Sequence, residues 1–286
     1  MALIGAGTLI GVIVTFLLAI YAFRKQQLTE GGTIAAIVVG IAVFVLGGWT
    51  WLALLMVFFI SSNFWSKFKA EKKEEAIKEF AKAGIRDFWQ VSANGLSGSL
   101  LAAAYFVSPT NALFAAFAGT IATVTADTWA TEIGVLDKNP RSILTGKRAK
   151  PGTSGAISLL GLVATVGACL LIALCAIAFN SINNGFENHL FLGDVVKEQF
   201  VGGLAFILIV IIAGTIGSLS DSVLGATVQG TYYCRKCRKE TEKTMHGCGH
   251  KTELSRGFRI IDNDAVNFLS SAIGALAGFA LASALL

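Results

Sequence analysis

The sequence predicts an all-α fold, a polytopic membrane helix bundle, on the basis of its composition and its apolar runs. Hydrophobic residues make up 54% of the 286 residues and charged residues only 14%, against roughly 25% charged in a typical globular protein. Uncharged stretches such as Ala2–Phe23 and Gly31–Ile60 exceed the ~20 residues that a helix needs to cross a bilayer. With only 3 Pro, the chain is not of the Pro-rich disordered class.

The placement of the basic residues predicts which side of the membrane each loop occupies. The net charge is +5. The positions of the basic residues indicate the membrane topology, and we expect no nucleic-acid partner. Lys197 lies in the segment Asn180–Gln199, and every other Lys or Arg falls in one of four clusters: Arg24–Lys25, Lys67–Arg86, Lys138–Lys150 and Arg235–Arg259. The positive-inside rule assigns these clusters to the cytoplasm and the Lys197 segment to the outside.

Four clusters on one side require an even number of crossings between them. Gly31–Ser61 and Gly95–Thr125 are therefore each expected to cross twice, with bends at Gly47–Gly48 and at Ser108–Pro109–Thr110. The first apolar run has no basic residue before it and no evident cleavage site, so we interpret it as a retained span.

Three further apolar segments complete the predicted bundle. They are Ser154–Phe179, Phe200–Gly217 and Val266–Leu286. The total is about eight spans with both termini outside. Several are short, so broken or re-entrant helices shielded from lipid are expected among them.

The charged segment Ser66–Arg86 is expected to lie between spans on the cytoplasmic side. Trp65, Phe68 and Ile77 are partly at helical spacing, and Glu74–Lys78 is an i,i+4 pair. This pattern favours an amphipathic helix on the inner membrane face. The alternative is a cytoplasmic flap that touches a soluble substrate.

A cluster of cysteines and histidines predicts a metal site. Cys234-x2-Cys237 is followed by His246, Cys248 and His250, and zinc takes about four N or S ligands in a tetrahedron. We expect His246 as the fourth ligand, with His250 as the alternative. Four protein ligands leave no open position, which indicates structural Zn²⁺. The alternative is a reduced or redox-active thiol cluster.

Polar segments interrupt the apolar helices near the inferred cytoplasmic face. Unpaired polar groups inside a membrane are costly and usually mark a functional site. Carboxylate, amide and hydroxyl oxygens suit Mg²⁺. The alternative is hydrogen bonding between helices, which explains separate acidic positions poorly. The expected catalytic residues are the acids and amides of these segments: Asp127, Asp221, Glu132, Asp264, Asn94, Asn263 and Asn267.

A basic loop with a Gly-rich turn precedes one of the spans. Backbone N–H groups at a helix start bind phosphate oxygens, and nearby cations neutralise their charge. Taken alone, such a loop is a topology signal, but phosphoryl transfer requires both Mg²⁺ and fixed positive donors. The expected phosphate-binding residues are those of the loop and two hydroxyls beside Asp221: Lys147, Arg148, Lys150, Gly152, Thr153, Ser154, Gly155, Ser220 and Ser222.

Four segments of the chain resemble a known membrane family. They are Ala126–Gly134, Gly152–Ser158, Gly217–Gln229 and Asn263–Asn267. They look like the signature segments of the family called domain of unknown function 92, or the transmembrane protein 19 family, which includes phytyl-phosphate kinase. The resemblance extends from about Gln90 to the C-terminus and more weakly through the earlier spans.

This resemblance implies a membrane phosphotransferase. The family's activity would move a phosphoryl group from a nucleoside triphosphate to an isoprenoid monophosphate such as phytyl or geranylgeranyl phosphate. CTP is the expected donor, and ATP is the alternative. Asp127 and Asp221 would then hold Mg²⁺, with Glu132 or Asp264 completing its shell. An isoprenoid alcohol as acceptor is the alternative.

Two other classes of protein compete with this hypothesis. An ion-coupled transporter or channel would also carry acids and amides in broken helices, and a non-catalytic scaffold would use the zinc knuckle to dock a partner. For the phosphotransferase in a cytoplasmic membrane, the expected divisions are N-terminal membrane helices (1–61), a cytoplasmic amphipathic segment (62–93), a catalytic core (94–230), a zinc-knuckle insertion (231–257) and a C-terminal helix (258–286).

Overall fold

The computed structural model describes residues 6–77, 84–186 and 203–286. In these ranges the chain forms eight helices of 18 residues or more, one short helix and five short strands. The helices are α1 (Ala6–Arg24), α2 (Glu30–Gly47), α3 (Trp49–Lys67), α4 (Ala70–Ile77), α5 (Phe88–Val107), α6 (Asn111–Gly134), α7 (Leu159–Phe186), α8 (Gly203–Thr227) and α9 (Asn263–Leu285).

The predicted membrane helix bundle is confirmed. Six described helices, α1, α2, α3, α7, α8 and α9, are long and apolar enough to cross a membrane. α5 and α6 are as long but less apolar, because they carry the polar segments around Asn94 and Asp127. Both predicted bends are present, since Gly48 separates α2 from α3 with a φ of 90° and 108–110 separates α5 from α6.

Some predicted features lie outside the described residues. They are Lys78 and the part of the segment Asn180–Gln199 that contains Lys197. The predicted amphipathic helix after α3 is represented by α4 alone.

Helix α6 is the centre of the bundle and packs against α3, α5, α7, α8 and α9. Small residues allow this close approach. A Cβ added to Gly119 would lie 2.9 Å from the carbonyl oxygen of Gly274 in α9. On the α3 side the packing is aromatic, because the Trp51 ring stacks on Phe117 with the centroids 4.1 Å apart. The bundle therefore fixes α6 from several sides.

The five strands form two small antiparallel sheets beside the helices. β1 (Arg141–Ser142) pairs with β2 (Ala156–Ile157) and closes the loop between α6 and α7. The second sheet, in the order β4-β3-β5, contains β3 (Thr231–Cys234), β4 (Lys239–Thr241) and β5 (Glu253–Arg256). It lies in the insertion between α8 and α9.

Candidate functional site

A cavity of about 520 Å³ lies at one end of the bundle. Its wall is formed by the first residues of α5, α7 and α9, the last residues of α6 and α8, and the loop that β1 and β2 close. These helix ends bring together polar segments that are far apart in the sequence. The cavity is therefore the place where the predicted site residues can meet.

Asp127 of α6 and Asp221 of α8 face each other in this cavity. Their carboxyl groups lie within hydrogen-bonding range of one another, and the Ser270 hydroxyl donates a hydrogen bond to Asp221 Oδ2 over 3.0 Å. Two carboxyl groups in contact repel each other when both are ionised, unless they share a proton or a cation. The pair is thus a place where a divalent cation would be stabilised.

The predicted asparagines line the same cavity. Asn94 comes from α5, and Asn263 and Asn267 come from the first turns of α9. An amide offers both a donor and an acceptor, so these side chains suit the orientation of a polar ligand beside the acidic pair.

Glu132 also lines the cavity, but its carboxylate has a partner within the protein. Lys73 Nζ lies 2.6 Å from Glu132 Oε2, and the Lys73 side chain has no exposed surface. The same ammonium group donates to the carbonyl oxygen of Trp65 over 2.7 Å. The ion pair therefore attaches the α4 segment to the end of α6.

Two of the predicted residues that lie on helices do not reach the cavity wall. Asp264 is buried in the first turn of α9 and is absent from the lining. Ser220 is also absent from it, and its hydroxyl donates to the Ile216 carbonyl oxygen within α8 over 2.7 Å. By contrast, Ser222 lies on the wall.

The Gly-rich turn of the loop, 152–155, lies on the cavity wall against α8. The Ser154 hydroxyl donates to the Gly225 carbonyl oxygen over 3.0 Å. Gly155 has a φ of +77°, and a Cβ there would lie 2.8 Å from the Ser222 carbonyl oxygen. Only glycine permits both this backbone conformation and this approach.

The three cations of the loop are not part of the cavity wall, although the turn that follows them is. Lys147, Arg148 and Lys150 are not part of the cavity lining, and the Arg148 guanidinium bonds the Asn139 side chain instead. The short β1–β2 ladder sets this orientation, because it folds the loop back on itself. The charges therefore contribute to the field around the cavity without forming its wall.

Arg86 is a cavity residue that the sequence analysis did not single out. Its guanidinium lies over the rings of Phe58 and Phe59, at 5.7 and 5.4 Å from their centroids. Burial lowers the pKa of Arg86 to about 10, and the opposing attraction comes from Glu132. Arg86 belongs to a basic cluster that is typical of a cytoplasmic loop, so the sequence offered no signal for it.

Glu242 is a second cavity residue that the sequence analysis missed. It follows β4 in the insertion, and its Oε1 accepts a hydrogen bond from Gln229 Nε2 over 2.8 Å. Gln229 Oε1 lies 3.3 Å from the Ser154 hydroxyl oxygen and shares its single proton with the Gly225 carbonyl oxygen. The insertion is therefore joined to the Gly-rich turn.

The insertion also contains a cluster that could bind a metal ion such as zinc. One ligand atom from each of Cys234, Cys237, His246 and Cys248 lies within 4.8 Å of the others. His250 is outside this group, with its Nδ1 3.9 Å from the Cys248 sulfur. These four residues form the set that the sequence analysis favoured.

Cys237 and Cys248 of this cluster have shifted pKa values. The hydrogen bond with His246 is the main reason why the pKa of Cys248 falls to about 6. The hydrogen bond with Cys248 is the main reason why the pKa of Cys237 rises to about 11. A thiolate is the form that binds metal, so Cys248 is the thiol best prepared for it.

Comparison with known proteins gives consistent matches over most of the chain. The family model described as "Integral membrane protein DUF92" matches residues 13–275. The protein named "Protein PGR" from Arabidopsis thaliana is 31% identical over 274 residues, covering 91% of this chain and 90% of that protein. An uncharacterized membrane protein of Methanocaldococcus jannaschii is 28% identical over 220 residues, covering 76% and 81%. No solved structure matches.

Proposed function

Because the chain belongs to the DUF92 family of integral membrane proteins, we propose that it is an Mg²⁺-dependent phosphotransferase. It would move a phosphoryl group from a nucleoside triphosphate, with CTP as the expected donor, to an isoprenoid monophosphate such as phytyl or geranylgeranyl phosphate. One observation carries the proposal. The paired carboxyl groups of Asp127 and Asp221 share a cavity with the Gly-rich turn 152–155.

The chemistry of the donor set supports a magnesium site at this pair. Asp127 and Asp221 would hold the ion, and its role when bound is to neutralise charge on the nucleotide phosphates. The asparagine amides add neutral oxygen donors of the kind that Mg²⁺ prefers. Glu132 is a weaker choice for the metal shell than the sequence suggested, since it already pairs with Lys73. Asp264 is weaker too, because it does not line the cavity.

The residues of the chain would then position the two substrates. The N–H of Thr153 already donates to the Lys150 carbonyl oxygen over 3.1 Å, so the backbone N–H groups of Gly152, Ser154 and Gly155 would donate to phosphate oxygens of the nucleotide. Asn94, Asn263 and Asn267 would orient phosphate groups. An oxygen of the acceptor monophosphate attacks the γ-phosphorus, and the bond to the bridging β-phosphate oxygen breaks. The products are an isoprenoid diphosphate and a nucleoside diphosphate. The acceptor is already anionic at pH 7, so no general base is required.

We also propose that the cavity faces the cytoplasm and that both termini lie outside. Loops with all four basic clusters adjoin this end of the bundle. The backbone N–H of Arg86 donates to the Gln27 carbonyl oxygen over 3.1 Å, and Pro140 and Glu242 line the cavity. The positive-inside rule places the end of the bundle with basic loops on the cytoplasmic side. The isoprenoid tail would enter from the bilayer between helices.

The four-residue cluster of the insertion is proposed to hold structural Zn²⁺. Its three sulfurs and one imidazole nitrogen match the ligand set of closed zinc sites. Strand β3 and the turn that follows it carry Cys234 and Cys237, so the ion would fix the sheet beside the cavity.

The reaction is tested with purified protein in detergent, Mg²⁺, γ-labelled CTP and phytyl or geranylgeranyl phosphate. Label is expected in the isoprenoid diphosphate. Asp127→Asn and Asp221→Asn should each lower kcat/KM by at least about 100-fold, because each removes charge from the metal site. Glu253→Gln is the matched control, since this exposed acid lies outside the cavity. Undiminished turnover in both Asp variants would end the metal assignment, and ion flux into liposomes without nucleotide consumption would favour a transporter.

A further inference from the structure

The half-buried side chain of Arg86 places a positive charge at the cavity wall. Its Nη1 is buried and has no hydrogen-bond partner among the residues that the structure describes. A guanidinium has five N–H donors, and a buried charged donor without a partner is strongly unfavourable. An anion in the cavity would supply the partner.

The surroundings of Arg86 hold it in place without a direct ion pair among the described residues, although the charge of Glu132 attracts it. The backbone of Arg86 is bonded on both sides, to the Gln27 carbonyl oxygen and to the Thr29 N–H over 3.1 and 3.0 Å. The rings of Phe58 and Phe59 lie against the guanidinium. The nearby carboxylate of Glu132 is bonded to Lys73 rather than to Arg86. Arg86 is thus a cation held at the cavity wall by its backbone hydrogen bonds and its aromatic contacts.

Arg86 and the Gly-rich turn lie against different helices. The aromatic partners of Arg86 belong to α3, while the turn 152–155 packs on α8 through Gly155 and Ser154. The acidic pair connects α6 to α8. A phosphotransferase must hold two phosphorylated substrates at once, so two separate anion-binding groups are needed.

We infer that Arg86 binds a phosphate group of one of the two substrates, at a subsite separate from the Gly-rich turn. The inference rests on the proposed function for the identity of the substrates. Arginine suits this task because its planar fork binds two phosphate oxygens at once. A lysine at this position would keep the charge but lose the two-point contact.

The binding step is tested without turnover, by thermal unfolding of the purified full-length protein in detergent with inorganic pyrophosphate as the probe. Pyrophosphate should raise the unfolding midpoint of the wild type, because a ligand that binds the folded state stabilises it. Arg86→Gln should weaken the apparent affinity by about 10- to 100-fold, as expected for loss of a charged hydrogen bond. Arg86→Lys should recover only part of it.

The control for this experiment is Arg24→Gln, which removes an exposed arginine outside the cavity. Its response to pyrophosphate should equal that of the wild type at constant ionic strength. A wild type that pyrophosphate does not stabilise, or an Arg86→Gln protein with unchanged affinity, would overturn the inference. Since Arg86→Lys keeps the charge near the aromatic rings, it also provides a folded variant if Arg86→Gln unfolds.

Steady-state kinetics then identify the bound substrate. A rise of about 10- to 100-fold in KM for the isoprenoid phosphate alone, in Arg86→Lys, would assign the subsite to the acceptor. The same rise for the nucleotide alone would assign it to the donor, and unchanged KM values for both would contradict the inference. If the protein binds pyrophosphate through Arg86 but has no transferase activity, the proposed reaction is contradicted while the anion subsite is retained.

Discussion

The side chain of Gln229 donates a hydrogen bond to Glu242 Oε1 over 2.8 Å and so joins the end of α8 to the insertion. Ser154 extends this connection to the Gly-rich turn through Gln229 Oε1. The insertion is therefore connected by hydrogen bonds to the helix bundle and to the Gly-rich turn. Because Glu242 lines the cavity, the insertion that contains the cysteine and histidine cluster also contributes to the wall of the proposed site.

Replacement of Glu242 should loosen the Gly-rich turn. In Glu242→Ala, Gln229 loses a charged acceptor, a bond of about 1.5–3 kcal/mol, and no longer holds Ser154 firmly. We expect KM for the nucleotide to rise several-fold while the metal content stays at the wild-type level. Glu240→Ala is the control, since Glu240 is exposed on β4. Equal nucleotide KM values in the two variants would show that the connection has no functional effect.

The ligand set of the metal cluster predicts different outcomes for the two histidines. His246→Ala should lower the bound zinc well below one ion per chain, because a tetrahedral site loses one of four ligands. His250→Ala should retain about one zinc ion per chain, since His250 lies outside the group. Metal content is measured by elemental analysis of purified protein. The opposite result would identify His250 as the ligand.

Part of this site was predictable from features that are visible in the sequence. Cys234 and Cys237 lie in one tight turn, so their spacing alone indicated a metal cluster. Asp127 and Asp221 were conspicuous because acids are rare in apolar helices. The contacts of Arg86 depend on tertiary packing against α3, and its sequence surroundings resemble any cytoplasmic loop.

Two expectations about the loop and the acids depended on details that only the fold supplies. The cations Lys147 and Arg148 precede the Gly-rich turn directly, but the β1–β2 ladder turns them away from the wall. Glu132 lies on the wall as expected, yet its partner Lys73 comes from a segment 59 residues earlier. No local pattern reveals an ion pair across that separation.

The Lys73–Glu132 ion pair should contribute strongly to stability. Glu132→Ala leaves the ammonium group of Lys73 buried without its carboxylate, and breaking a buried pair in this way costs about 3–5 kcal/mol. We expect a marked fall in the unfolding midpoint in detergent. Adding Lys73→Met should restore much of it, because the unpaired charge is then removed.

The exposed pair Arg235–Glu253 serves as the control for this prediction. Its side chains are 78% and 60% exposed, and exposed pairs contribute about 0–1 kcal/mol. Glu253→Ala should therefore leave the unfolding midpoint almost unchanged. If Glu132→Ala were as stable as Glu253→Ala, the attachment of α4 to α6 would not depend on this ion pair.

Two glycines of the same loop separate the effect of backbone conformation from that of close packing. Gly146 and Gly155 both have positive φ, at +66° and +77°, but a Cβ at Gly146 meets nothing within 4 Å. Gly146→Ala should therefore cost only about 1 kcal/mol of left-handed strain. Gly155→Ala adds a clash with the backbone of α8 and should push the turn off the cavity wall.

The readout for these variants is the affinity for pyrophosphate, measured by thermal unfolding. Gly155→Ala is expected to bind at least about 10-fold more weakly than Gly146→Ala, because the N–H groups of the turn no longer point at one ligand position. Comparable affinities in the two variants would mean that the turn does not contact phosphate. Arg86 would then be left as the anion-binding group of the cavity, and the nucleotide would need another site.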